Sequence, residues 1–170
     1  MMKILLHELE KAKGQALPLE GFVDVKSVRL DGTETLTDVR FSGECHKEAD
    51  LVIVTGTITG IIQAKCAKCL TPTEYSLNVL FDEKFSEAPV DEESDIHFFH
   101  SGMIDLSPYL VEAIVLELPY VYVCKEDCLG LCPTCGTNRN EKQCECKNER
   151  IDPRLADLAL FFEKNKSDNK

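Results

Sequence analysis

The chain has 170 residues, a hydrophobic fraction of 44% and a formal net charge of −11. That length supports one domain with a core of its own plus a small appendage, and excludes two large domains. The acidity makes a poor footprint for gripping a phosphate backbone, so any work near RNA is expected to use a basic protein partner or a local basic patch. The charge is also uneven: residues 1–123 carry 10 Lys+Arg and 21 Asp+Glu, whereas residues 124–170 carry 9 of each.

In chain order, Ile4 to Lys13 turns from apolar to charged and predicts a short strand followed by a helical turn. Its apolar run is too short for a secretory signal. Phe22 to Leu30 reads as a strand that Asp31-Gly32 ends in a tight turn. Thr35 to Cys45 alternates, with Val39, Phe41 and Cys45 on one side and Arg40, Ser42, Glu44 and His46 on the other. Leu51 to Ala64 predicts a long strand whose apolar face carries Val52, Val54, Ile58 and Ile62. Gly56 and Gly60 fall on that same face, which points to a bulge or a close approach. Thr73 to Phe85 alternates most cleanly, with Tyr75, Leu77, Val79, Phe81 and Phe85 to one side.

Glu87 to Asp95 holds five acids and no base, and reads as a solvated loop or as a landing surface for a basic partner. His97 to His100 predicts a short strand; its two histidines have no evident metal-ligand partners. Asp105-Leu-Ser107-Pro108 opens a helix over 107–118, with Asp105 or Ser107 as cap and Pro119 as the stop. Leu110, Val111, Ile114, Val115 and Leu118 are its expected packing stripe. Val121 and Val123 lead out in a strand-like arm. Ile151-Asp152-Pro153-Arg154 opens a second helix, and Lys164 to Lys170 is a polar tail. No internal repeat is evident. The expected fold is α+β: an antiparallel sheet with one buried face, able to close into a barrel-like form, and one packed helix. Residues 1–123 form that sheet domain. Residues 124–170 form a small Cys-rich zinc-binding segment and terminal helix packed on it.

Six of the nine cysteines lie between Cys124 and Cys146. The apolar stretches 51–64 and 113–123 are broken by threonine, glycine or glutamate and predict no membrane span. The expected setting is therefore cytoplasmic, where thiols stay reduced and dense cysteines indicate metal before disulfides. Cys132-Pro-Thr-Cys135-Gly136 can place two sulfurs on one ion in a tight turn. Proline presets one backbone angle, and glycine permits a left-handed residue. Zinc in structural sites takes a closed tetrahedral set. The preferred set is Cys132, Cys135, Cys144 and Cys146, joined by a polar loop that turns back easily. Cys124 and Cys128 are alternates.

A second thiol motif, Cys66-Ala-Lys-Cys69, sits between the two longest strands. It admits three readings. It can be a metal half-site completed by spare thiols from Cys124 to Cys146. It can be a redox pair activated by Lys65 and Lys68. It can also be two half-buried thiols that pack the end of the sheet.

These features together resemble the bacterial YceD proteins, called large ribosomal RNA subunit accumulation proteins. The matching marks are Cys66-Ala-Lys-Cys69-Leu70, the run from Glu112 to Pro119, Cys124-x-x-x-Cys128-Leu-Gly-Leu-Cys132-Pro-x-Cys135-Gly136, Cys144-x-Cys146 and Ile151-Asp152-Pro153-Arg154-Leu155. One departure is Arg139, in a loop where the family often has leucine. The resemblance implies a role in production or retention of large-subunit ribosomal RNA, and implies no catalytic residue.

Three functions follow as expectations. The first is a non-catalytic ribosome-biogenesis factor with a structural zinc, working with ribosomal precursors or large-subunit assembly proteins. The second is a thiol redox sensor or oxidoreductase using Cys66 and Cys69. The third is an rRNA-processing nuclease, ranked last because no metal-holding acid cluster or base–nucleophile pair is in view.

Overall fold

A computed structural model of the chain describes residues 2–12, 14–25, 34–89 and 94–146. The expected turn at Asp31-Gly32, the helix opening at Ile151 and the polar tail lie outside the described residues.

Period-two alternation builds the centre of the molecule. Strands β1 (Lys3–Leu5), β2 (Leu17–Phe22), β3 (Thr35–Glu48), β4 (Leu51–Lys65), β5 (Pro72–Ser86), β6 (Ile96–Phe98) and β7 (Met103–Asp105) are joined by helices α1 (Leu6–Lys11) and α2 (Ser107–Glu117). β4 and β5 form an antiparallel hairpin in unbroken register from Leu51↔Ser86 to Lys65↔Pro72. The main sheet has the order β2-β3-β4-β5-β6, while β1 and β7 make a separate two-stranded ribbon.

Three expectations need correction here. Among the described residues the sheet is open, with β2 and β6 as its edges, rather than closed as a barrel. It is also not wholly antiparallel: β6 runs parallel to β5, pairing Ile96 with Lys84. A parallel neighbour requires the chain to travel back between the end of one strand and the start of the next. Finally, of the strand expected over 22–30, Phe22 closes β2 and residues 23–25 are not strand, while residues 26–30 lie outside the described residues.

The inward residues form one core: Val52, Val54, Ile58 and Ile62 from β4, Phe41 and Cys45 from β3, and Leu77, Val79, Phe81 and Phe85 from β5. α2 covers this face with Leu110 and Ile114, and Leu9 of α1 joins it. Fully burying a large apolar side chain contributes roughly 1.5–3 kcal/mol, so these positions dominate the sheet's stability. Val115 is 48% exposed and leaves the expected stripe. It lies about 100° round the helix from Ile114, beyond the face that reaches the sheet.

The glycines on the apolar face have specific work. Gly43 and Gly56 stand opposite each other beneath the Phe41 ring. A Cβ on Gly56 would fall 2.7 Å from that ring. Near Gly60, the register shifts between Thr37 and Arg40, so that Asp38 and Val39 together face one residue of β4. Asp38 takes a φ of +52°, and the bulge lets both Leu36 and Val39 point inward despite their odd spacing.

At the start of α2, the Asp105 carboxylate accepts the Ser107 N–H at 3.0 Å. Burial pushes this carboxyl up. Hydrogen bonds from the Ser107 hydroxyl and N–H, with Lys3 nearby, outweigh burial and hold it below the usual range. α2 ends where Leu118 becomes extended ahead of Pro119.

Candidate metal centres

The turn closing the β4–β5 hairpin is Cys66-Ala-Lys-Cys69-Leu-Thr71. The Cys66 N–H donates to the Thr71 carbonyl at 2.9 Å, and the Leu70 N–H to the Cys66 carbonyl at 2.8 Å. Leu70 is left-handed at φ +61°. Cys69 Sγ lies 3.2 Å from Thr71 Oγ1.

The same device recurs at Cys132-Pro-Thr-Cys135-Gly-Thr137. The Cys132 N–H donates to the Thr137 carbonyl at 2.8 Å, and the Gly136 N–H to the Cys132 carbonyl at 2.8 Å. Gly136 is left-handed at φ +73°, and Cys135 Sγ lies 3.2 Å from Thr137 Oγ1. The pair Lys65↔Pro72 brackets the first turn as the bridge Leu131↔Asn138 brackets the second. The chain therefore carries a repeated knuckle, contrary to the expectation of no repeat. The signal was the shared Cys-x-x-Cys-x-Thr spacing.

A later cysteine pair completes each knuckle. Cys66, Cys69, Cys124 and Cys128 form one group and Cys132, Cys135, Cys144 and Cys146 the other, with the four Sγ atoms of each within 4.8 Å of one another. Either group can hold a metal ion. The preferred sequence set is thus brought together as a unit, whereas its alternates Cys124 and Cys128 are drawn away to Cys66 and Cys69. Cys66 Sγ stands 3.8 Å from Cys128 Sγ, and Cys69 Sγ 3.6 Å from Cys124 Sγ. Four sulfurs about 2.3 Å from a tetrahedral zinc are about 3.8 Å apart, which fits these separations. All nine cysteines are free thiols.

Backbone contacts bring the distant pair into place. The Ala67 N–H donates to the Tyr122 carbonyl at 2.8 Å, and the Leu131 N–H to the Lys68 carbonyl at 2.9 Å. Tyr122 is buried against Tyr75, with ring centroids 5.1 Å apart. The arm expected to be strand-like is irregular instead, and its inward anchor is Tyr122 while Val121 faces solvent. Gly130, at φ +71°, lets the chain pass close to Lys68: a Cβ there would lie 3.0 Å from the Lys68 carbonyl oxygen.

The thiols within each group are electrostatically unequal. Backbone hydrogen bonding at Cys124 pulls Cys66 down to about 6, against the opposing effect of burial. Backbone hydrogen bonding at Cys135 and Thr134 brings Cys132 to about 6. Burial, followed by hydrogen bonding with Cys69, pushes Cys124 up to about 12. Hydrogen bonding with Cys135, then burial, does the same to Cys146. Four thiols in one enclosure resist ionising together, and a cation at their centre removes that conflict. The first group is the more enclosed: Cys66, Cys69 and Cys128 are buried, whereas Cys135 is exposed.

A family model described as large ribosomal RNA subunit accumulation protein YceD matches residues 54–162. The chain belongs to the YceD family. Eight of its nine cysteines fall within the YceD match, leaving only Cys45 before it. An uncharacterized protein of Mycobacterium tuberculosis is 37% identical over 112 residues, covering 63% of this chain and 54% of the relative. YlbN of Bacillus subtilis is 26% identical over 169 residues, covering 96% of this chain and 98% of the relative. A chloroplastic YCED homolog 1 of Arabidopsis thaliana, named as a large ribosomal RNA subunit accumulation protein, is 24% identical over 176 aligned positions, covering 85% of this chain and 53% of the relative. The chain thus spans about half the length of the mycobacterial and plant relatives. No solved structure matches it.

Other candidate residues stand apart from both groups. Cys45 belongs to the main core, where burial first, then Glu44 and Glu8, pushes its thiol up to about 11. His97 does have a polar partner, Glu83 on β5, at 2.8 Å, and its ring stacks near Tyr109. The parallel pairing of β5 with β6 brings the two side chains together. His100 packs against Phe98. Among the described residues, no helix is long and apolar enough to cross a membrane.

Proposed function

We propose that this chain is a non-catalytic factor supporting the synthesis, processing or accumulation of large-subunit ribosomal RNA. The observation that carries the reading is the YceD match over residues 54–162, which takes in both cysteine groups. A structural zinc at Cys132, Cys135, Cys144 and Cys146 gives shape to a segment with little apolar packing of its own. The donor chemistry favours zinc, since four thiolates form the closed set typical of its structural sites. A closed set leaves no open position for substrate, which favours a scaffold over an enzyme. The net charge of −11 favours a basic assembly protein of the large subunit as the direct contact, with RNA reached through it. The setting is cytosolic in bacteria, where reduced thiols are available for metal.

Deleting the gene and measuring large-subunit against small-subunit ribosomal RNA tests this. A selective fall in large-subunit RNA, with recovery of large-subunit precursors on affinity-tagged protein, is expected. Unchanged RNA and no ribosomal material on the tagged protein would overturn it. The redox reading is less favoured because Cys66 and Cys69 are both buried, whereas a reactive thiol needs access to its oxidant.

A further inference from the structure

We propose that Cys66, Cys69, Cys124 and Cys128 form a second zinc site, separate from the Cys132 to Cys146 set, that clamps the arm following α2 onto the end of the β4–β5 hairpin. This inference does not depend on the ribosomal reading.

Three observations carry it. The first is the repeated knuckle. Backbone hydrogen bonds, left-handed residue and threonine contact agree between the two turns to within 0.1 Å in each hydrogen-bond length. Two turns built alike present their sulfurs alike, and take the same kind of ion. The second is packing. The first group lies in a small apolar cluster of its own, in which Cys66, Cys69 and Cys128 are the buried residues and Val123, Cys124 and Leu131 are partly buried neighbours. Beyond the Tyr122 anchor and the two backbone bonds to the hairpin turn, so few apolar atoms add little order, and a common centre for the sulfurs supplies it. The third is the state of Cys128. Asn140 donates its side-chain N–H to Cys128 Sγ at 3.3 Å, and a donor aimed at sulfur suits a thiolate ligand.

The site's ligand is a divalent, thiophilic cation in tetrahedral coordination. Its consequence is mechanical. The ligands come from positions 55 and 62 residues apart, so the ion fixes a long-range contact that the sheet alone does not make.

The test uses the full chain, purified reduced from zinc-supplied cells, with zinc measured per chain by mass spectrometry. Two zinc ions are expected in the unmodified protein. Cys66→Ser with Cys69→Ser should retain one, and Cys132→Ser with Cys135→Ser should also retain one. Because either variant can fail to fold, the unmodified protein is also alkylated before and after a strong chelator. Cys66, Cys69, Cys124 and Cys128 should be protected first and modified afterwards. One zinc per unmodified chain overturns the proposal. So does free alkylation of these four thiols in the zinc-loaded protein, or a Cys66/Cys69 variant that still holds two ions.

Discussion

Asn140 and Cys128 tie the two cysteine groups together. Asn140 lies in the loop between Cys135 and Cys144, yet its amide reaches Cys128 Sγ at 3.3 Å, and its carbonyl accepts the Leu129 N–H at 3.0 Å. The loop of one group therefore orients a ligand of the other. Partners of this outer kind typically change metal affinity by about 10–100-fold when mutated. Asn140→Asp replaces the donor with a negative charge facing sulfur. Chelator competition should show roughly that loss at Cys66, Cys69, Cys124 and Cys128, with a smaller change at the other set. Equal loss from both would mean that Asn140 acts only by holding the loop.

Leu70 and Gly136 occupy the same place in the two knuckles, both left-handed, at φ +61° and +73°. A residue with a Cβ meets a steric penalty of about 1–2 kcal/mol there, and glycine does not. Leu70 is 58% exposed, so trimming it loses little burial. Leu70→Gly should therefore leave the metal-loaded chain as stable or up to about 1 kcal/mol more stable, whereas Gly136→Leu should lower stability by about 1 kcal/mol. Denaturant midpoints at fixed zinc concentration measure both.

Gly56→Ala places a methyl 2.7 Å from the Phe41 ring and from the Ser42 carbonyl oxygen. Phe41 is 1% exposed and packs edge-on against Phe81, so it has no room to retreat. Overpacking of this kind costs about 1–3 kcal/mol. Leu80, on the outer face of β5 and 84% exposed, is the control. Leu80→Ala should shift stability by no more than about 0.5 kcal/mol. Thermal unfolding of the two variants side by side checks the ordering.

The Cys45 thiol is raised by burial from 9.0 to about 11. The unfolded chain ionises it first, so the native state loses stability as pH climbs from 9.0 through about 11, and gains nothing from it below that window. Cys45→Ala should flatten this alkaline slope relative to the unmodified chain, while lowering stability at neutral pH through the small cavity it leaves. Stability measured at pH 7, 9 and 10.5 separates the two effects. A slope identical in both proteins would show that Cys45 does not titrate as its burial requires.

Much of this architecture was legible in the order of residues. Alternation located β3, β4 and β5 because a half-buried strand must place every second side chain inward. Gly56 and Gly60 on the apolar face mark a close approach and the bulge that lies opposite. Cys132, Cys135, Cys144 and Cys146 were legible as one group because their turn and loop are short enough to close locally. What the linear order could not convey was distance across the fold. The partnership of Cys66 and Cys69 with Cys124 and Cys128 depends on where Tyr122 anchors the arm after Pro119, and on the backbone bond from Ala67 to Tyr122. Likewise, the parallel placement of β6 rests on the pairing of Ile96 with Lys84, which no local pattern announces. Local pattern determined which residues face inward and which thiols turn together. Only packing between elements remote in the chain decided which turn meets which arm, because that choice minimises exposed apolar surface and unpaired backbone groups over the whole molecule.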